Sequence, residues 1–181
     1  MSDGLILGID PGSIATGYGI IKKDGDRLCF VDAGVIRPGC RRAHGDKDGN
    51  DLAKRLECIY AGLGKVIERL APETSAIEGI FHKNNPRSAL LLGHARGVAI
   101  LAAVHRGLCV YEYSPMEIKK AVVGYGRAEK HQIQQMVKVM LNLQEKVAQD
   151  ASDALAVAIC HANSMRCRRM MVGISSRLNR R

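Results

Sequence analysis

The first ten residues impose the strongest constraint on the fold. Residues 4–10 form a short apolar run, Gly-Leu-Ile-Leu-Gly-Ile-Asp, that ends on Asp10 and is stopped by Pro11-Gly12. A short apolar run closed by Pro-Gly reads as a buried strand. Residues 16–23 read as a second strand. Asp24-Gly25-Asp26 then carries the residues of a tight hairpin turn into a third strand over residues 27–37. Three strands in succession, joined by short connections, predict an antiparallel meander.

The pattern then changes from strands to alternation. Residues 38–51 are polar, with three glycines, three aspartates and three basic side chains, and read as a surface loop. Asp51 is placed to cap a helix running to about residue 70, with Leu52, Leu56, Ile59, Leu63 and Ile67 on one face. Residues 74–78 make a short buried strand, and residues 81–87 a polar loop. Pro86 opens a helix to about residue 106 that is apolar around most of its circumference, which suits a central or interface helix. A strand follows at 108–113, and Ser114-Pro115 is a helix start. Two more helices are expected at 128–143 and about 149–165. Strands followed by helix–strand alternation predict an α/β fold in which helices cover a mixed sheet.

The chain has 181 residues, a length for one compact domain. Its longest unbroken apolar runs, 98–104 and 154–160, are seven residues, against about 20 for a membrane span. No basic segment followed by a hydrophobic stretch opens it, so no signal peptide is expected. The six cysteines show no C-x-x-C pair, and reduced thiols in a cytoplasmic protein are the expectation. Basic residues outnumber acidic ones 27 to 18, which points to an anionic partner. Six of the nine excess charges are Arg166, Arg168, Arg169, Arg177, Arg180 and Arg181. Residues 166–181 show no sustained period and are expected to be a basic, disordered tail behind a folded domain over 1–165.

Four acids stand out by position. Asp10 ends an apolar strand, where Asp is disfavoured, and could serve chemistry or cap the Pro11-Gly12 turn. Glu78 ends the 74–78 strand and could simply be emerging into solvent. Asp150 and Asp153, three apart, share one face at the start of an alanine-rich helix, where acids also meet the helix dipole favourably. If the four converge they cannot all stay ionised without counter-charge. A hard divalent cation with oxygen ligands, Mg²⁺ above all, would supply it. A carboxylate cluster of this kind on a basic protein suits metal-dependent cutting of nucleic acid.

The segments Gly8-Ile9-Asp10-Pro11-Gly12 with Thr16-Gly17-Tyr18-Gly19, Ala76-Ile77-Glu78-Gly79-Ile80-Phe81, Gly93-His94-Ala95-Arg96-Gly97, Tyr125-Gly126-Arg127-Ala128-Glu129-Lys130 and Asp150-Ala151-Ser152-Asp153-Ala154-Leu155-Ala156 follow one another in order. Together they resemble the RuvC-type Holliday-junction resolvases over residues 4–164. The resemblance implies a ribonuclease-H-like fold with a mixed five-stranded sheet flanked by helices. It implies a homodimer that resolves four-way DNA junctions by paired symmetric nicks during recombination and repair. Asp10, Glu78, Asp150 and Asp153 would be the metal-binding catalytic acids, for two Mg²⁺ per site with Mn²⁺ as substitute. A branch-migration helicase complex of the RuvA/RuvB type would be a partner. The 38–51 loop is longer than the family's, and the arginine tail has no match in it.

Supporting residues follow from the same resemblance. Lys119 and Lys130 fall where the family has basic residues near the cleaved strand; otherwise they would read as a solvated helix face. Phe81, beside Glu78 in a loop with Lys83 and Arg87, suits stacking on an unpaired base, although a Phe next to a strand is usually core. Gly93 and Gly97 allow close helix approach, and the family's dimer favours an interface. Of the six histidines, only His82 and His131 lie near these motifs. Two rivals remain. An actin- or hexokinase-like nucleotide-binding protein shares the Asp-x-Gly after a first strand but needs a second lobe for which this length has no room. A non-catalytic junction-binding protein with the same fold would have no use for four acids that repel DNA.

Overall fold

The computed structural model describes residues 4–38, 51–79 and 85–178, with the side chains of the last helix described to Met165. Phe81, His82, Lys83 and nearly all of the 38–51 loop lie outside the described residues. Strands β1 (Leu5–Asp10), β2 (Thr16–Asp24) and β3 (Arg27–Ile36) come first. They are followed by α1 (Asp51–Leu70), β4 (Thr74–Glu78), α2 (Pro86–Val104) and β5 (Cys109–Tyr113), and then by α3 (Pro115–Val123), α4 (Lys130–Met140) and α5 (Gln149–Leu178). The sheet order is β3-β2-β1-β4-β5. β1, β2 and β3 pair antiparallel, whereas β4 lies parallel to β1 and β5 parallel to β4. The mixed five-stranded sheet flanked by helices is therefore present, and the β2–β3 turn places Gly25 at φ 57°, where glycine carries no Cβ penalty.

Side chains alternate across a strand, so the sheet has two cores. Leu7, Ile9, Ile20 and Ile77 face α1 and α2, where they meet Ile59, Leu63, Ala99 and Ala103. Ile6, Ile21 and Ala76 face α5 and pack with Ile118 of α3, Val137 of α4 and Leu155 and Ile159 of α5. The same alternation turns Gly8 and Asp10 of β1 towards α5, together with Gly17 and Gly19 of β2 and Glu78 of β4. This parity decides where the acids go.

Small residues let α5 lie directly on the sheet. Gly19, Gly8 and Ala76 are register partners across three strands. A Cβ on Gly8 would stand 2.0 Å from the carbonyl oxygen of Ala154, and one on Gly17 would stand 1.9 Å from that of Asp150. A Cβ on Gly19 would meet the Leu155 side chain at 2.7 Å. The three glycines thus form a groove filled by the α5 backbone at Gly8 and Gly17 and by Leu155 at Gly19. Ala151, Ala154, Ala156, Ala158 and Ala162 line the buried helix above it. Lys23 is buried beside this helix and donates from Nζ to the Ala162 carbonyl at 2.8 Å.

Three expectations about elements need correction. The last helix does not stop near residue 165 but continues to Leu178. The segment beyond Met165 contains no proline, and its arginines and methionines are good helix formers, so nothing local ends the helix. The helix expected at 128–143 is shorter, because Glu129 and Gln132 form a capping box at its start and Asn142 adopts a left-handed conformation (φ 48°) at its end. Helix α2 has the length and composition to cross a membrane, which a count of unbroken apolar runs misses because His94 and Arg96 interrupt it. Its Ala95, Ala99, Ala102 and Ala103 are buried among residues of α1 and the sheet, so it is a helix of the folded body.

Candidate active site

Register brings the first two acids together. Ile9 of β1 pairs with Ile77 of β4 in a parallel ladder, so the next residues, Asp10 and Glu78, leave neighbouring strands at the same sheet end. Asp10 is also the register partner of Gly17, the residue over which the Asp150 backbone lies. Asp150 and Asp153 therefore enter from α5 above the same sheet end, on the same face as Asp10 and Glu78.

Electrostatics record the convergence. Burial, followed by the charges of Glu78, Asp153 and Asp150, pushes the Asp10 carboxyl up to about 7, and Lys130 pulls it the other way. Glu78 is also raised, first by burial and then by Asp153, against a lowering hydrogen bond from Asp10 and the charges of Lys130 and Lys119. Burial raises Asp153, and the Lys130 ammonium lowers it. Lys130 Nζ reaches Asp153 Oδ2 at 2.7 Å. Burial alone would lower Lys130, but Asp153, Asp10 and Asp150 outweigh it and hold the ammonium charged. The repulsion expected of Asp150 and Asp153 is thus met by a base from the start of α4.

A cleft of about 220 Å³ opens beside these acids, with Glu78, Asp153, Lys119 and Lys130 among its lining and Pro115, Ile118 and Ile133 as its apolar wall. Lys119 is not a solvated helix side chain. Its Nζ donates to the Ala128 carbonyl at 2.9 Å and ties α3 to the loop before α4. Arg87 is exposed in the first turn of α2 and is absent from the cleft lining. His131 is exposed and faces Glu129 at 3.3 Å. Among the described side chains, Cys29, Cys58, Cys109 and Cys160 are free thiols.

Two residues were quoted within motifs at the sequence level without being singled out. Arg96 donates from Nε to the Glu78 carbonyl at 3.3 Å and pairs through its other nitrogen with Glu112 of β5. It fastens the end of β4, and so the Glu78 backbone, to α2. An arginine in an otherwise apolar helix was the available signal. Tyr125 is the second, an exposed aromatic between two glycines.

The donor set is chemically suited to a divalent cation, being carboxylates with hard oxygen atoms: Glu78 and Asp153 line the cleft, and Asp10 and Asp150 lie at the same end of the sheet. Among the described residues no three acids, histidines or cysteines already stand as a ready ligand set. Lys130 occupies one of the Asp153 carboxylate oxygens that a cation would otherwise take. Burial first, and then the charges of Glu78, Asp153 and Asp150, disfavour an ionised Asp10, and a bound cation would favour it. On those grounds the residues fit the ion.

Comparison with known proteins decides the lineage. The family model described as crossover junction endodeoxyribonuclease RuvC matches residues 6–161. The chain belongs to the RuvC family. Among relatives of the same description, one from Geobacter sp. (strain M21) is 52% identical over 170 residues, 94% of this chain and 99% of the relative. A solved structure of T. thermophilus RuvC in complex with Holliday junction substrate is similar with a TM-score of 0.79 and 30% identity, covering 91% of this chain and 96% of that one. The yeast mitochondrial Holliday junction resolvase Ydc2 shares the fold at 14% identity and a TM-score of 0.61, over 87% of this chain and 77% of its own. The family match spans all four acids and both cleft lysines. RuvC-family nucleases are metal-dependent.

Proposed function

We propose that Asp10, Glu78, Asp150 and Asp153 hold two Mg²⁺ per site, with Mn²⁺ able to substitute, and that through them the chain cuts phosphodiesters in four-way DNA junctions. The placement of four acids from β1, β4 and α5 at one end of the sheet carries this reading; burial there, and after it the charges of Glu78, Asp153 and Asp150, lift Asp10 to about 7. A bound divalent cation there supplies an activated water and counter-charge for the phosphodiester being broken. Asp10 and Glu78 approach it from the sheet, Asp150 and Asp153 from α5. Lys130 stabilises the ionised form of Asp153 and keeps a positive charge beside the scissile phosphate. Lys119 holds the far wall of the cleft in place through Ala128. Phe81, Lys83 and Arg87 are assigned to DNA contact on the resemblance alone.

Two such sites acting together suit paired, symmetric nicks in a junction of near two-fold symmetry. Helix α2 is the surface proposed for the homodimer. Leu90, Leu101 and Val104 are 63%, 46% and 52% exposed on it. A Cβ at Gly93 or Gly97 would meet nothing within 4 Å, so the two glycines are not spent on packing within the protomer. The protein would act in the cytoplasm, where its DNA is. A non-catalytic junction binder is the poorer reading, since uncompensated acids in the cleft would repel the phosphates.

Incubation with a mobile synthetic four-way junction tests the reading. With Mg²⁺, symmetric nicks are expected, and with excess chelator none. Cutting that persists under chelation would overturn the metal mechanism. A tight complex that never cuts in Mg²⁺ or Mn²⁺ would favour the binder.

A further inference from the structure

The turn between α3 and α4 presents a half-exposed aromatic ring. Tyr125 is 49% exposed and lies between Gly124, whose φ of 87° ends α3, and Gly126. The ring is nonetheless fixed. Its hydroxyl donates to Gln132 Oε1 at 3.2 Å, and the same oxygen accepts from the Glu129 backbone N–H at 2.9 Å. Gln132 is two residues beyond Lys130, so the ring is anchored to the turn of α4 that delivers Lys130 to the acids. The loop also folds back along α3. A Cβ at Gly126 would stand 3.0 Å from the side chain of Met116, itself 56% exposed, and 3.5 Å from Lys120. Met116 follows Pro115, a residue of the cleft wall.

The surroundings are basic. Lys119 and Lys130 line the cleft, and Lys120 and Arg127 are exposed in the same segment, against the exposed acids Glu117 and Glu129. A rigid, half-exposed aromatic with cations in its segment, beside a site that takes a phosphodiester, has the chemistry of a base-stacking platform. Cations hold the backbone and the ring face takes an unstacked base. A partner protein would be expected to bury more apolar surface than one ring and one methionine.

We propose that Tyr125 stacks on an unpaired nucleobase flanking the scissile phosphate and so helps the site select a branched junction over plain duplex. This rests on the resolvase reading and adds a base-recognition element to that same site. Duplex DNA keeps its bases stacked on each other and offers none to the ring, so the contribution belongs to branched substrate alone.

The test uses the full chain carrying Asp10→Asn, which should bind without cutting. The probe is a synthetic four-way junction with 2-aminopurine placed in turn at each nucleotide flanking the scissile phosphate. In the complex, one position should be markedly brighter with Tyr125→Leu than with Tyr125, and Tyr125→Phe should stay dark. Junction affinity should fall about tenfold in Tyr125→Leu, while affinity for a blunt duplex of the same length is unchanged. Circular dichroism and thermal melting, unaltered at an exposed position, keep the comparison clean. If no position responds to Tyr125→Leu, or if junction and duplex affinities fall together, the inference is overturned. Loss of the dark signal in Tyr125→Phe as well would make the hydroxyl's grip on Gln132 the cause, and also overturns it. If the Asp10→Asn protein with Tyr125 intact does not bind the junction, the resolvase reading fails and this inference with it.

Discussion

Helices α2 and α5 look alike in the sequence, and the structure uses them in opposite ways. Helix α2 and the 151–162 stretch of α5 are both rich in alanine, apolar on nearly every side and interrupted by few charges. Between Ala151 and Ala162, α5 is buried at every residue but Asp153. Over a similar length α2 buries only Ala95, Ala99, Ala102 and Ala103 and leaves its larger side chains half open. The receiving surface makes the difference. α5 meets Gly8, Gly17 and Gly19, a strip of sheet with no side chains, and its backbone comes down onto the strands. The glycines of α2 lie in the helix itself and face nothing among the described residues. A glycine in the sheet therefore serves the site by bringing Asp150 close to Asp10, whereas a glycine in α2 is available to another molecule.

That contrast can be broken by one substitution made in two places. Gly8→Ala drives a methyl group into the Ala154 carbonyl and should cost at least about 3 kcal/mol by denaturant unfolding, with cleavage falling as α5 is displaced. Gly97→Ala adds a methyl group in open space and removes a flexible residue from a helix interior. It should stabilise the isolated protomer by about 0.5–1 kcal/mol. Similar costs at both positions would mean that the two helices do not differ as described. Next in size is the effect of placing a charge on the open face. Leu101→Asp should weaken self-association about thirtyfold or more by sedimentation while leaving the protomer's melting nearly unchanged. A variant that stays dimeric would remove α2 as the interface.

A further effect concerns pH. Asp10 is moved from an ordinary 3.8 to about 7, so between those values the folded chain keeps a proton that the unfolded chain has released. Stability of the metal-free protein should therefore fall as pH rises through that window, by on the order of 1–3 kcal/mol once the coupling among the acids is counted. Asp10→Asn should flatten the slope. A slope of the opposite sign would mean that the acids are not crowded together.

Much of the site was legible because acids in the wrong company are conspicuous. Asp10 after Leu-Ile-Leu-Gly-Ile, Glu78 after Ala-Ile and two aspartates in an alanine-rich helix each break a local preference, and strand alternation sends Asp10 and Glu78 to one face. The α/β order was legible for a similar reason, since turns and caps such as Asp24-Gly25-Asp26 and Ser114-Pro115 act locally. What was not legible depends on contacts distant in sequence. Nothing local shows that Gly17 faces the Asp150 backbone or that Arg96 holds the Glu78 carbonyl. His161 reads as one more unassigned histidine, yet it is buried, with Nδ1 2.8 Å from the Tyr113 hydroxyl and its ring against Tyr111. The extension of α5 to Leu178 was not legible because residues beyond 165 carry no apolar period, and periodicity was the signal used to end the helix.

Calorimetric titration of the metal-free protein with Mg²⁺ or Mn²⁺ goes most directly to the central claim that the four acids form one cation site. The account predicts binding that weakens sharply in each of Asp10→Asn, Glu78→Gln, Asp150→Asn and Asp153→Asn, with all four proteins folded. Cation affinity unchanged by these substitutions would contradict it.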